Sequence, residues 1–168
     1  GEVWSFTTLP EVAIADPDLV GWWTMDEGMG TAALDWSGYG NHGTLVGAPE
    51  WTDGYHGDAL KFSDNKYVDC GYDAADEVTG DFTLAAWVKM DPGTAGNYGG
   101  IAGKLTRGSN SEYWGYALVR HSSNVFRLWV GDGDPAGING MASSDFQYTD
   151  SDWHHVAGMR EGQTNSLY

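Results

Sequence analysis

Asp-Phe-Thr-Leu-Ala-Ala-Trp-Val-Lys-Met, residues 81–90, alternates without a break. Phe82, Leu84, Ala86, Val88 and Met90 fall on one side, and Thr83, Ala85, Trp87 and Lys89 on the other. Successive side chains of a strand point to opposite faces, so a period of two predicts a strand with one face on a core. Trp87 then belongs to the far face, either under a loop or exposed as a platform.

The same pattern recurs on both sides of this stretch. Downstream, Ile101–Lys104 reads as a brief strand. Tyr113–Arg120 and Asn124–Val130 read as a hairpin around His121–Ser123. In the second of these, Phe126, Leu128 and Val130 face one way and Arg127 and Trp129 the other. Met141–Tyr148, Trp153–Met159 and Asn165–Tyr168 follow as shorter strands. Upstream, Ala59–Phe62 and Tyr67–Cys70 suggest a hairpin across Ser63–Lys66. Leu19–Met25 is expected as a first strand, with Trp22 and Trp23 on opposite faces. No stretch carries a convincing helical period, and there is no internal repeat. With 25 glycines in 168 residues, about twice the usual ~7%, the chain is punctuated by turns. An all-β sandwich or barrel is the expected class.

Eight basic residues against 24 acidic ones give a net charge of −16. Such a chain repels phosphate backbones and anionic bilayers, so nucleic acid is not an expected partner. No run approaches the ~18 apolar residues of a membrane span, and membrane insertion is not expected either. Cys70 stands alone, which rules out an internal disulfide or a thiolate metal cluster. No stretch reads as a signal peptide, and since the chain is expected to be a piece of a longer protein this says nothing of the parent's destination. Residues 1–8, Gly-Glu-Val-Trp-Ser-Phe-Thr-Thr, resemble the end of a fibronectin type III domain, and residues 9–18, with Pro10 and Pro17, read as a linker. The main domain is expected over 19–168, with other domains of the same parent chain beside it.

Asp35 to Gly43, Asp-Trp-Ser-Gly-Tyr-Gly-Asn-His-Gly, is the densest run of turn formers beside a carboxylate, and Asp26 and Glu27 lie just upstream. Calcium takes roughly 6–8 oxygens, some from carboxylates and some from backbone carbonyls, and a glycine-rich loop can aim carbonyls inward. One reading is therefore a loop folded round Ca²⁺ by Asp26, Asp35, Asn41 and the backbone at Gly43. The other is a turn capped by Asp and Asn side chains, with no metal. The spacing leaves both open.

Six segments in order carry a resemblance: Val-Gly-Trp-Trp-Thr-Met-Asp-Glu-Gly (20–28), Asp-Trp-Ser-Gly-Tyr-Gly-Asn-His-Gly-Thr-Leu (35–45), Gly-Asp-Ala-Leu-Lys-Phe (57–62), Tyr-Val-Asp-Cys-Gly (67–71), Asp-Phe-Thr-Leu-Ala-Ala-Trp-Val-Lys (81–89) and Trp-His-His-Val-Ala-Gly (153–158). Together they resemble the laminin G-like jelly-roll domains of the wider concanavalin A-like lectin and glucanase fold. The resemblance implies an antiparallel two-sheet β-sandwich, usually with a structural calcium. Asp35 and Asn41 match the family's loop, and Asp26 matches the acid that closes its first strand. It further implies a module of a secreted or cell-surface multidomain protein that binds glycans or mediates adhesion. Family members usually continue past the position of Tyr168, so C-terminal strands and one calcium ligand are expected to be missing.

Catalysis is not expected; the alternatives are a glycoside hydrolase or lyase of the same fold, or a structural spacer or protein-contact module. Retaining glucanases of this fold carry Glu-x-Asp-x-x-Glu on one strand, a pattern found nowhere here. His154 and His155 are adjacent, so on a strand they face opposite ways and cannot share a metal. Trp and Tyr exceed what one core face per strand uses. Sugar rings stack their C–H faces on aromatics while hydroxyls need fixed donors and acceptors. Trp87, Trp114 and Trp129, with Arg127 as a hydroxyl donor, are the carbohydrate-binding candidates. The competing view is that these tryptophans fill space under long loops. A glycan or an extracellular protein is the expected partner.

Overall fold

The computed structural model describes residues 16–71, 80–91, 98–107, 113–132 and 140–168. The fibronectin-like tail at 1–8 and most of the linker at 9–18 lie outside them. The described residues are all-β and form antiparallel sheets, as the alternation predicts. None of their helices is long and apolar enough to cross a membrane. The chain divides into two units, Gly1–Asp73 and Ala74–Tyr168.

In the first unit, β1 (Ala32–Ala33), β2 (Gly43–Val46) and β5 (Tyr67–Asp69) form one small sheet, and β3 (Glu50–Asp53) and β4 (Asp58–Lys61) a hairpin. The hairpin expected between Ala59–Phe62 and Tyr67–Cys70 does not form. β4 turns back on β3 instead, with Trp51 opposite Leu60, and β5 pairs with β2. The Gly54 N–H donates to the Gly57 carbonyl at 2.9 Å, and Gly57 takes φ 60°. This turn is as short as the one expected across Ser63–Lys66, and through it β4 takes β3 as its partner. Leu19–Met25 is not a strand either. Its ladder is a single bridge between Trp23 and Asp35, and Met25 leaves the extended region at φ 57°.

The second unit holds two sheets. One runs β10 (Gly140–Ser143), β9 (Phe126–Asp132), β8 (Tyr113–Arg120), β7 (Gly99–Arg107). The other runs β12 (Thr164–Leu167), β11 (Trp153–Glu161), β6 (Phe82–Lys89). Met90, Leu118, Phe126 and Val156 form the buried core between them, with Leu84, Val88, Ile101, Tyr148 and Leu167 packed on it. Gly158 lets β11 approach Leu128, since a Cβ there would lie 3.1 Å from the leucine side chain. The β6 alternation is as expected: Phe82 to Val88 are part-buried at even positions, and the odd positions are exposed. The hairpin around His121–Ser123 also forms, as β8 and β9.

Candidate functional site

Asp35 organises the first unit's loop as a hydrogen-bond acceptor. Its Oδ1 accepts from the Trp22 and Ser37 backbone N–H groups, both at 2.9 Å. Its Oδ2 accepts from Ser37 Oγ at 2.7 Å and the Asn41 N–H at 2.9 Å. Asp35, Ser37 and Asn41 are all buried. Burial works to raise the Asp35 pKa, but its bonds from Trp22, Ser37 and Asn41 outweigh this and hold it below the ordinary 3.8. The Asp35 N–H donates to His42 Nδ1 at 3.0 Å, which assigns that ring the neutral tautomer with its proton on Nε2. Asn41 Nδ2 donates to the Val20 carbonyl at 3.2 Å, and the Asn41 carbonyl accepts from Trp23 Nε1 at 2.8 Å. Gly38 and Gly40, at φ 95° and 79°, let the chain double back so that donors from Trp22, Ser37 and Asn41 converge.

A carboxylate offers about four lone-pair sites, and here protein donors fill them. Of the four candidate calcium ligands, the fold brings Asp35 and Asn41 together and sets the others apart. Gly43 is a buried residue of the β2 ladder opposite Ala33. Asp26 sits at the β3–β4 turn, where its Oδ1 accepts from the Asp58 N–H at 3.0 Å. Among the described residues no three His, Cys, Asp or Glu side chains gather for a metal. The Asp35 loop therefore does not fit a calcium cage unless one of its own bonds is given up. One atom nearby in sequence does have spare capacity. Glu27 Oε1 accepts from the Leu34 N–H at 2.9 Å, while Oε2 is buried without a partner. Glu27 stands beside the loop in the sequence but is not among the four candidate ligands, because no spacing marks a leftover oxygen.

The four candidate carbohydrate-binding residues, all in the second unit, also separate. Trp87 lies on β6, on the outward face of the three-stranded sheet, edge-on to His155 at 5.3 Å. Trp114 follows the parity of Tyr116 and Leu118, the core-facing side of β8, though at the strand end it is 52% exposed. Arg127 and Trp129 share the opposite face of the four-stranded sheet. Antiparallel partners point the same way, so this face continues across Val119 and Ala117 on β8 to Gly100 and Gly103 on β7. Gly103 cannot carry a side chain, because a Cβ would lie 2.6 Å from the β8 backbone.

Two residues not singled out earlier complete the face. Tyr98, just before β7, meets His121, just after β8, at 2.7 Å between Oη and Nε2. Its ring lies 4.7 Å from His121 and 5.7 Å from Trp129. His121 Nδ1 accepts from the Ser123 N–H at 3.1 Å and lies 2.7 Å from Ser123 Oγ, so the ring proton is on Nε2. Burial, and then the Arg127 charge, hold the His121 pKa below its ordinary 6.5. Nε2–H thus donates to Tyr98 Oη and leaves the phenol proton available. Arg127 Nε and Trp129 Nε1 are both buried with no hydrogen-bond partner. The pairing of two hairpin ends is the signal that would have found Tyr98 and His121. The adjacent His154 and His155 take separate partners: His154 bonds Asp150 at 2.6 Å and packs on Tyr148, while His155 packs on Trp87.

Comparison with known proteins places this geometry. A crystal structure of residues 221–444 of an S-layer domain-containing protein from Clostridium thermocellum ATCC 27405 is similar, with a TM-score of 0.59 and 24% identity over 88% of this chain and 67% of that one. At that identity the likeness shows the fold. No curated protein matches the chain. A laminin G family model matches residues 62–168, which is more than half of the chain. The chain therefore belongs to the concanavalin A-like lectin/glucanases superfamily.

Proposed function

We propose that this chain is a non-catalytic, lectin-like module of a secreted or cell-surface multidomain protein, and that it binds carbohydrate on the outward face of the β7–β10 sheet. The observation that carries this is the face itself: aromatic rings at Tyr98 and Trp129, a floor without side chains at Gly100 and Gly103, and unused donors at Arg127 and Trp129. Ligand sites combine apolar surface with a few convergent polar groups in this way. Glycoside hydrolysis instead needs two carboxylates about 5–9.5 Å apart across the bond, and among the described side chains no such pair stands on this face. A glycan array followed by titration calorimetry tests the reading. Binding that Trp129→Ala removes and Trp87→Ala leaves supports it; absence of binding at millimolar glycan refutes it. A module that contacts proteins is the second reading, favoured by the exposed Trp87 and Tyr168 on the other sheet.

For calcium, the supporting observation is Glu27 Oε2 rather than the Asp35 loop. Bound there, the ion would fix the Asp26–Glu27 turn and play no chemical role. Ligand that binds only the folded state raises its melting temperature by mass action. Added calcium should raise Tm after EDTA treatment in the wild type and not in Glu27→Gln. An equal response in both, or none in either, removes Glu27 as a ligand.

A further inference from the structure

The polar groups of the β7–β9 face share one sign. Arg127 and Trp129 are two residues apart on one strand, about 7 Å along it, and both present buried donors with no partner. Tyr98 Oη accepts the hydrogen bond of His121 Nε2–H and so keeps its own O–H as a donor. Arg127 enters no ion pair among the described residues, where pairs such as Lys66–Glu50 and His154–Asp150 do form. A half-buried arginine with no carboxylate partner among the described residues is unusual in a chain with three times as many acids as bases. A buried donor without an acceptor is costly, as is a buried charge without a counter-charge. A neutral glycan hydroxyl answers the first need only. A carboxylate answers both, and matches the guanidinium fork with two parallel bonds.

Resting on the carbohydrate reading above, we infer that the ligand of this face is an acidic sugar, a polysaccharide bearing a uronate carboxylate that Arg127 binds, with the Trp129 indole N–H and the Tyr98 hydroxyl as further donors. Trp129 and Tyr98 also supply the stacking surface for the pyranose ring. The net charge of −16 opposes any anionic polymer at long range. That repulsion acts through solvent and is screened by salt within about 10 Å at 0.1 M, whereas the half-buried pair is screened far less. Binding should therefore survive physiological salt, unlike attachment to a basic patch.

The test uses polygalacturonate, alginate and hyaluronan, each beside its carboxyl-reduced, uncharged counterpart, titrated into the whole chain by calorimetry at 0.15 M salt. The variants are Arg127→Gln, Arg127→Lys and Tyr98→Phe, each with its melting curve recorded. The expected result is that at least one acidic polymer binds about 10- to 100-fold more tightly than its reduced form, the scale of one charged hydrogen-bond set. Arg127→Gln should erase that ratio, and Arg127→Lys should restore only part of it. Equal binding of charged and reduced forms overturns the inference and leaves the carbohydrate reading standing. An acid preference that persists in a folded Arg127→Gln also overturns it. If no polymer binds in either form, both fail together.

Discussion

Replacing Asp35 by Asn changes one atom's chemistry at the centre of the first unit's loop. In the better orientation the amide oxygen keeps the Trp22 and Ser37 N–H bonds, and Nδ2 replaces Oδ2. Ser37 Oγ can rotate to accept, but the Asn41 N–H then faces another donor. Leaving that buried N–H unsatisfied costs about 1–3 kcal/mol, and loss of charge from the two retained bonds about 1 kcal/mol each. The sum, about 3–5 kcal/mol, corresponds to roughly 6–20 °C in Tm for a chain of this size. Trp22, Trp23 and Trp36 sit within or beside the loop, so a fluorescence melt at pH 7 reads it directly. The acid limb provides a second signature. Because the folded Asp35 pKa lies below the ordinary 3.8, its contribution is present above that value and is lost as pH falls through the folded pKa. The wild type should lose this stability below pH 3.8, and Asp35→Asn should lack that component of the acid limb. A variant melting within a degree or two of wild type, with an unchanged acid limb, refutes the role of Asp35 as the acceptor that holds this loop.

Three further outcomes follow from the second unit. Leu128 is fully buried between the two sheets, so Leu128→Ala should cost about 2–5 kcal/mol in chemical denaturation. Gly103→Ala places a Cβ against the β8 backbone, and should cost about 1–3 kcal/mol by overpacking, with glycan affinity falling as the strands part. Trp114→Ala, on the core-side parity of β8, should leave glycan affinity unchanged in calorimetry, whereas Trp129→Ala should abolish it.

What could be seen in the sequence was whatever a single strand determines by itself. The β6 alternation needed no partner to be recognised, because one buried face fixes the parity of all eight residues. Arg127 and Trp129 were placed together for the same reason. Trp87 and Trp114 were grouped with them wrongly in space, since which sheet a strand joins and which face turns to the core depend on distant pairing. The Ala59–Phe62 partner was misjudged because Glu50–Asp53 has little strand character of its own and becomes one only through the Gly54–Gly57 turn. Leu19–Met25 looks like a strand by composition, but its Trp22 N–H goes to a side chain, Asp35, and its Leu19 N–H to the Asp16 carbonyl. Tyr98 and His121 fall in stretches that read as loop and turn, and only the β7–β8 register brings them together. At the Asp35 loop the residue types admitted a metal or a cap, and the bonds that converge on the carboxylate depend on where the fold brings Trp22, Ser37 and Asn41, which no spacing shows.

The central claim is that carbohydrate binds the face formed by Tyr98, Arg127 and Trp129. The most direct measurement is a titration of the ¹⁵N-labelled chain with polygalacturonate and with its reduced form, following the nine tryptophan indole N–H signals, assigned by single Trp→Phe substitutions. The Trp129 signal reports on a buried donor that lacks an acceptor. It should shift downfield on binding while those of Trp87 and Trp114 stay in place. Movement confined to Trp87 and Trp153, or saturable binding that leaves Trp129 unmoved, would contradict the account.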